Sequence, residues 1–365
     1  MAGLFARVLE LVGGDFELGL RLKTLQDFSR TVRTGEYHIT NACNIRCKGC
    51  WFYEYEFDER TREQRDLLAW RRFAVEQREH GVTTALLIGG EPTLFPDRVA
   101  AFVEAMPNIS ISTNGLQKLS AHDFPRVCVA ITLFGGGPLD DELRGIRPSG
   151  KTFSGLFDTA LASYRNDDRA VFIYAVSNDS IPYIEDTVRR IGDNGNRVGL
   201  NYYSSHGLYD PLRRGQNVDR LLDEALRVRE KYPYVLGCDE LFIRTLLTGK
   251  THFGQFGYDT CPSISVDHPA HAARKKNGQP ILPGFNAWAP DLETINFCCT
   301  SGECGSCRDS QAIYSWLLVS FKHFLDSKTS LERWLNMAEC YWSGFIWSPY
   351  HPAVKGRLAP GAQTA

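Results

Sequence analysis

Three cysteines on one short stretch carry the first recognisable chemistry: Cys43, Cys47 and Cys50 in Asn41-Ala-Cys-Asn-Ile-Arg-Cys-Lys-Gly-Cys-Trp51. Three thiolates at the spacing Cys-x3-Cys-x2-Cys can hold three irons of a [4Fe–4S] cluster and leave the fourth iron with no protein ligand. A small molecule can chelate such an open iron and receive electrons that never cross solvent. A structural zinc loop is the rival reading, but zinc takes four ligands, usually as two pairs, and no second Cys or His pair stands nearby in sequence. A disulfide is disfavoured as well. The sequence shows no leader segment and no long apolar span, which predicts a cytoplasmic protein whose thiols stay reduced.

A second pattern lies about forty residues on, in Ala85-Leu-Leu-Ile-Gly-Gly-Glu-Pro-Thr-Leu-Phe95. An apolar run ending in two glycines, an acid and a proline predicts a buried parallel strand whose carboxyl end opens into a turn. Gly89 and Gly90 permit close approach to the backbone, and Glu91 adds a carboxylate beside it. Taken alone, the segment reads equally as an ordinary turn at a strand end.

Together the two motifs resemble the signature of the radical S-adenosylmethionine (radical SAM) superfamily. The resemblance implies that Cys43, Cys47 and Cys50 hold a [4Fe–4S] cluster whose open iron binds the amino and carboxylate groups of SAM. It also implies that Gly89, Gly90 and Glu91 hold the SAM amino group. Reductive cleavage of the sulfonium would yield a 5′-deoxyadenosyl radical, with an electron donor such as flavodoxin or ferredoxin as partner.

The elements that must position these residues are legible as a series. Apolar, β-branched runs at Tyr37–Thr40, Ala85–Ile88, Ile109–Ser112, Val127–Leu133, Val171–Val176 and Val198–Tyr203 predict six strands. Helical patterns fall near Glu63–His80, Asp97–Ala105, Phe153–Tyr164, Pro182–Ile191 and Val218–Lys231, and the segment between the third and fourth strands is short. Strands alternating with helices predict an α/β fold with a parallel sheet and helices packed outside. Six such units resemble the partial (β/α)6 barrel of radical SAM enzymes, in which chemistry sits at the carboxyl ends of the strands. Both motifs fall at that end. The 365 residues then divide into an N-terminal helical extension (1–34), the partial barrel (35–235), and a cysteine-rich auxiliary region with closing helices (236–365).

Other strand ends supply candidate SAM contacts under the same resemblance. Ser112 and Asn114 close strand three, in what is otherwise an Asn-Gly turn. Thr132 ends strand four. Arg144, in Asp140-Asp-Glu-Leu-Arg-Gly145, resembles a family arginine near the SAM carboxylate; a solvated charge at a helix start is the alternative. Asn178 follows strand five, and residues 201–204 end strand six. Where the family commonly carries an aromatic residue just before the third cysteine, this chain has Gly49. Phe52 is the candidate substitute beside adenine, or else a core residue.

The chain has eleven cysteines, an odd count that argues against a closed disulfide framework. Cys261, Cys298, Cys299, Cys304 and Cys307 form a second group. It resembles the abbreviated SPASM, or twitch, region, which encloses an auxiliary [4Fe–4S] cluster. Cys304 and Cys307 converge most readily, with Cys261 and one of Cys298 or Cys299 completing four. An all-cysteine zinc site and unliganded buried cysteines are the alternatives. Cys340 stands far from the others in sequence. Later aromatics, from Tyr314 to Tyr350, predict packed helices that close the barrel.

Net charge is −2, and no basic stripe suggests nucleic acid. No apolar stretch reaches membrane-spanning length. The leading expectation is a radical SAM oxidoreductase or isomerase acting on a small polar metabolite, of the dehydrogenase or epimerase type. An epimerase returns hydrogen from a thiol, and Cys238 is the candidate donor, with a buried bystander as its alternative. A peptide-modifying maturase is the second expectation, and an Fe–S binding or regulatory protein without turnover the third.

Overall fold

The computed structural model describes residues 2–54, 56–202, 217–255, 287–296 and 308–354. Six strands form the centre: β1 (Thr34–His38), β2 (Thr84–Ile88), β3 (Asn108–Thr113), β4 (Val127–Phe134), β5 (Ala170–Val176) and β6 (Arg197–Tyr202). They pair in parallel in chain order, so each crossover moves one place along the sheet. The sheet does not close on itself. Its β1 edge is extended by a two-residue parallel strand, Ala287–Trp288, and then by Ile295–Asn296, which runs antiparallel. Seven parallel strands therefore make an open, barrel-like wall, as the alternation of strands and helices predicts.

Helices cover the outer face. Leu67–Glu79 begins where the Asp66 carboxylate accepts from Leu68 N, and Asn217 caps Val218–Lys231 through Arg220 N. Pro96–Ala105, Leu156–Ser163 and Ile184–Asp193 complete the outer layer between strands. Tyr37 shows which face is outward: its ring packs on Phe73 and Phe102, both on outer helices. Strand alternation then sends Glu36 and His38 inward. Phe172 packs on Phe157 of another outer helix. Carried along the strand register, this places Leu86, Ser110, Ser112, Ala130, Thr132, Ile173 and Gly199 on the inner face.

Two features lie outside the sequence expectation. The first strand begins at Thr34, three residues before the expected Tyr37, because pairing with β2 fixes its extent and Thr-Gly-Glu carries no apolar run. The edge strand Ala287–Trp288 is too short to show periodicity and is held by its neighbour and by the Trp288 ring against Phe73. Two helices, Ala2–Val12 and Phe16–Thr31, precede the first strand. Leu18 and Leu25 belong to the same apolar core as the strands, as do Ile313, Leu317, Trp334 and Trp342 of the C-terminal helices Ser310–Val319 and Lys328–Phe345. Among the described residues no helix is long and apolar enough to cross a membrane.

The crossover from β3 to β4 contains no α-helix, as its shortness predicts. One buried side chain replaces the helix. Arg169 donates to the carbonyls of Leu119 (2.9 Å), Ser120 (3.2 Å) and Phe124 (2.7 Å), and pairs with Asp167 at 2.6 Å. The Tyr164 hydroxyl accepts from Leu119 N at 3.0 Å. Arg169→Met is expected to lower unfolding free energy by about 3 kcal/mol, because it strands buried carbonyls and the Asp167 carboxylate together. A urea unfolding curve measures this, and an unchanged midpoint would remove Arg169 as the organiser of the crossover.

Candidate active site

The site is built on the carboxyl ends of the strands. The cysteine segment leaves β1 and folds back over the end of β2. Gly90 N donates to Thr40 O and Glu91 N to Ala42 O, both at 2.8 Å. A β-carbon on Gly90 would lie 2.2 Å from Ala42 O, so only glycine fits beneath this loop. The close approach that the glycine allows is thus used first by the protein's own backbone.

A buried latch fixes the start of the loop. The Glu63 carboxylate accepts from Asn41 N (2.8 Å) and Thr40 Oγ1 (3.1 Å). Its other oxygen takes the Arg98 guanidinium at 2.6 Å, and Arg98 also donates to Ile39 O. Further along, Arg46 lies 3.9 Å from the centre of the Tyr53 ring and donates to Cys43 O, while the Tyr53 hydroxyl donates to Asn41 O at 3.1 Å. Gly49 sits at φ 69°, the left-handed region, so the aromatic residue common in the family would be strained here. The backbone conformation thus accounts for that departure.

The structure brings Cys43, Cys47 and Cys50 together. All three are half-buried; the Cys47 charge acts on Cys43, and both Cys43 and Cys47 act on Cys50. Burial pushes Cys43 up to about 11 and Cys50 up to about 12, and Cys47 also moves up. Ligation would therefore exchange a proton for iron at each sulfur. Among the described residues no three Cys, His, Asp or Glu side chains surround a single metal ion. Thiolates that each bind a different iron of a cube need not converge on one point. The donor set, three thiols with no carboxylate among them, fits an iron–sulfur cluster.

Glu91 is 1% exposed, and both its oxygens are engaged by protein donors. One oxygen accepts from Thr93 N (3.0 Å), Thr93 Oγ1 (2.6 Å) and Thr113 Oγ1 (2.7 Å); the other accepts from Asn114 N (2.7 Å). Burial pushes its pKa up, against the pull of those four donors. The carboxylate thereby ties the end of β2 to the end of β3. In turn, Asn114 Nδ2 reaches Asn44 Oδ1 at 2.7 Å and the Cys43 sulfur at 4.0 Å.

The remaining candidates separate. Ser112 and Thr132 lie part-exposed on the inner face, and Thr132 also gives its carbonyl to Arg144. Arg144 is buried between Asp140, Thr132 and Cys47. Phe52 is 2% exposed and enclosed by the rings of His38, Tyr53 and Phe57, the environment of a core residue and not of an open platform. Asn178, with its amide oriented to satisfy both ends, pairs with the backbone of Asn217 at 3.0 Å twice, bracing the start of a helix. Cys238 is buried beside Cys340 and Arg229, in the same apolar core as Tyr314. Cys340 in turn contacts the Gly237 carbonyl and the Tyr314 hydroxyl. Cys261, Cys298, Cys299, Cys304 and Cys307 lie outside the described residues. Glu63, Arg98 and Thr113 carry no motif of their own, while Thr93 lies inside the second motif and Asp140 opens the Arg144 segment. Asp140 also has a local signal, its four-residue spacing from Arg144.

A parallel open sheet carrying a three-thiol loop on its first strand end and Gly-Gly-Glu on its second defines a class of cluster-bearing enzymes. The Radical SAM superfamily family model matches residues 37–243. The chain belongs to the radical SAM superfamily, which implies a [4Fe–4S] cluster used with SAM. A comparison with curated proteins finds no match. Among solved structures, Streptococcus suis SuiB bound to its precursor peptide SuiA aligns with TM-score 0.50 and 14% identity, over 93% of this chain and 70% of that one. SuiB bound to S-adenosylmethionine aligns with TM-score 0.44 and 17% identity, over 62% of this chain and 56% of that one. The anSMEcpe structure with bound AdoMet and the Cp18Cys peptide aligns with TM-score 0.44 and 16% identity, over 60% of this chain and 67% of that one. The matched region thus spans little more than half of the SAM-bound SuiB chain.

Glu91→Ala is expected to lower unfolding free energy by roughly 2–4 kcal/mol, since it leaves the buried N–H groups of Thr93 and Asn114 unpaired. It should weaken SAM binding in parallel by disordering the ends of β2 and β3. Denaturant unfolding and equilibrium SAM binding test this together. Weakened SAM binding at parental stability would mean that Glu91 acts on SAM directly and not as a latch.

Proposed function

We propose that this protein is a radical SAM oxidoreductase or isomerase acting on a small polar metabolite. In this reading, residues 35–235 bind SAM and 236–365 close the barrel over the substrate. The observation that carries it is the polarity of the inner face. Glu36, Ser112 and Thr132 stand part-exposed on the concave side among Ala130, Ile173 and Gly199, with His38 and Ser110 buried beside them, whereas a wholly apolar lining would suit a lipid tail. Glu36 remains partly accessible, with its carboxylate 3.9 Å from His38 Nε2. A substrate rich in hydroxyl or amino groups finds both acceptors and donors there.

In this reading Cys43, Cys47 and Cys50 hold the cluster, and the open sheet end around Gly89, Gly90 and Asn114 receives SAM. When bound, the cluster would supply the electron for reductive cleavage of SAM, and SAM the hydrogen-abstracting group. The chain's own task is positional. The Glu63–Arg98 and Glu91 latches fix the loop, the buried rings of Phe52 and Phe57 keep water from beneath it, and the inner-face polar groups orient the reacting C–H bond. A flavodoxin or ferredoxin would be the electron donor. By the resemblance to a twitch region, Cys261, Cys304, Cys307 and one of Cys298 or Cys299 would hold an auxiliary cluster, suited to accepting an electron from a substrate radical.

A second reading takes support from the SuiB alignment, which covers most of this chain in a structure holding a precursor peptide. At 14% identity this likeness extends to the fold alone, and a peptide substrate becomes an outcome of the test. Anaerobically reconstituted protein should hold two clusters, and replacing Cys43, Cys47 and Cys50 together by Ala should leave about half the iron. Reduced parent should release 5′-deoxyadenosine from SAM, and the triple variant should release none. Iron-replete protein that never cleaves SAM would favour a non-catalytic Fe–S protein. Deuterium transfer into 5′-deoxyadenosine from labelled peptides, with none from sugars, nucleosides or amino acids, would favour the maturase.

A further inference from the structure

The proposed cluster has a neighbour that neither motif contains. The segment after β4 is bonded to the cysteine loop on both sides of Cys47: Arg46 N donates to Ile146 O at 2.7 Å, and Lys48 N to Leu143 O at 2.8 Å. These two bonds clamp Cys47 against the turn of helix that carries Arg144. The Arg144 side chain is 2% exposed, and its charge pulls the Cys47 thiol down against the burial that raises it. Its Nη1 donates to Thr132 O, but its ion-pair partner Asp140 stands 3.4 Å away at both carboxylate oxygens. Asp140 is itself committed to Phe134 N at 2.5 Å. Arg144 Nε has no hydrogen-bond partner. A buried guanidinium with an unspent N–H and a loosely held counter-ion is costly unless a further negative group completes it. A thiolate at Cys47 is such a group.

We propose that Arg144 is a positioning residue for the iron–sulfur site: it hydrogen-bonds the Cys47 thiolate and raises the reduction potential of the cluster held there. The inference rests on the radical SAM reading of the cysteine loop. One-electron reduction adds a negative charge to the cluster and its sulfurs. A fixed cation beside one sulfur, in a poorly solvated setting, stabilises the reduced form more than the oxidised form. Asp140 offsets part of that effect. The pair therefore sets the potential by the balance of two charges, and the backbone clamp keeps that balance constant.

The experiment is a redox titration of reconstituted protein with dithionite, in the absence of SAM, read by electron paramagnetic resonance and with iron content measured on the same samples. Arg144→Met should shift the cluster to a more negative potential by a tenfold or larger change in the reduction equilibrium, 59 mV or more for one electron. Arg144→Lys, which keeps the charge and loses the planar donors, should fall between. Asp140→Asn, which keeps an acceptor for Phe134 N, should shift the potential the opposite way. If Arg144→Met takes up no iron, the sign of the Asp140→Asn shift decides, and a parental or more negative potential there sinks the proposal. Iron-replete Arg144→Met with the parental SAM-free potential also sinks it, and would leave Arg144 to the SAM carboxylate. Parent protein that binds no iron would overturn the reading of the cysteine loop itself, an outcome distinct from either.

Discussion

The site depends on one contact between two pieces of backbone, the cysteine loop lying directly on the glycines that end β2. Everything else adjusts around this near-touching pair. The loop can sit that low only because Gly90 has no side chain, and it stays there because Thr40 and Ala42 accept the N–H groups of Gly90 and Glu91. Exposed backbone at a strand end would otherwise need water or a turn of its own. Here the ends of two neighbouring strands satisfy each other, and the three thiols inherit their height above the sheet from that pairing.

Charge is buried around this contact in a consistent pattern. Glu63 with Arg98, and Glu91 with the Thr93, Thr113 and Asn114 donors, join segments remote in sequence, while the Asp140–Arg144 pair, on one helix, ties that helix to the end of β4. Such groups add little to net stability compared with apolar packing, since desolvation offsets much of their attraction. Their geometry, unlike that of apolar contacts, is directional. A cluster-bearing loop has to hold three sulfurs in fixed relation, and directional bonds suit that need better than a greasy face that tolerates sliding.

The sequence made the six strands, their parallel order and the two motifs legible, because each is a local signal: a short apolar run, a glycine pair, a cysteine spacing. Helix Val218–Lys231 matches its expected bounds because an asparagine cap and an apolar stripe coincide there. The first strand was displaced because its pairing with β2, and not its own composition, sets its limits. The latches were not legible. Glu63 and Arg98 are ordinary surface charges until the fold brings them together, and only the fold shows the four donors that Thr93, Thr113 and Asn114 aim at Glu91. Phe52 and Asn178 show the converse, since residue types that suit a cofactor are here used to fill a core and to brace a helix. Gly49, a departure from the family pattern in sequence, follows from a backbone angle.

The crossover without a helix has a consequence for the order in which the molecule assembles. The carbonyls of Leu119, Ser120 and Phe124 wait for a guanidinium that lies 45 to 50 residues further along the chain. A helix in that place would have formed from local contacts as soon as it was synthesised. This segment instead reaches its final form only when the start of β5 has joined the sheet, after a long loop has closed. Asn114, at the head of the same crossover, is held instead by Glu91 and Asn44, so the edge of the cluster site is tied to β2 and the cysteine loop and does not wait on Arg169.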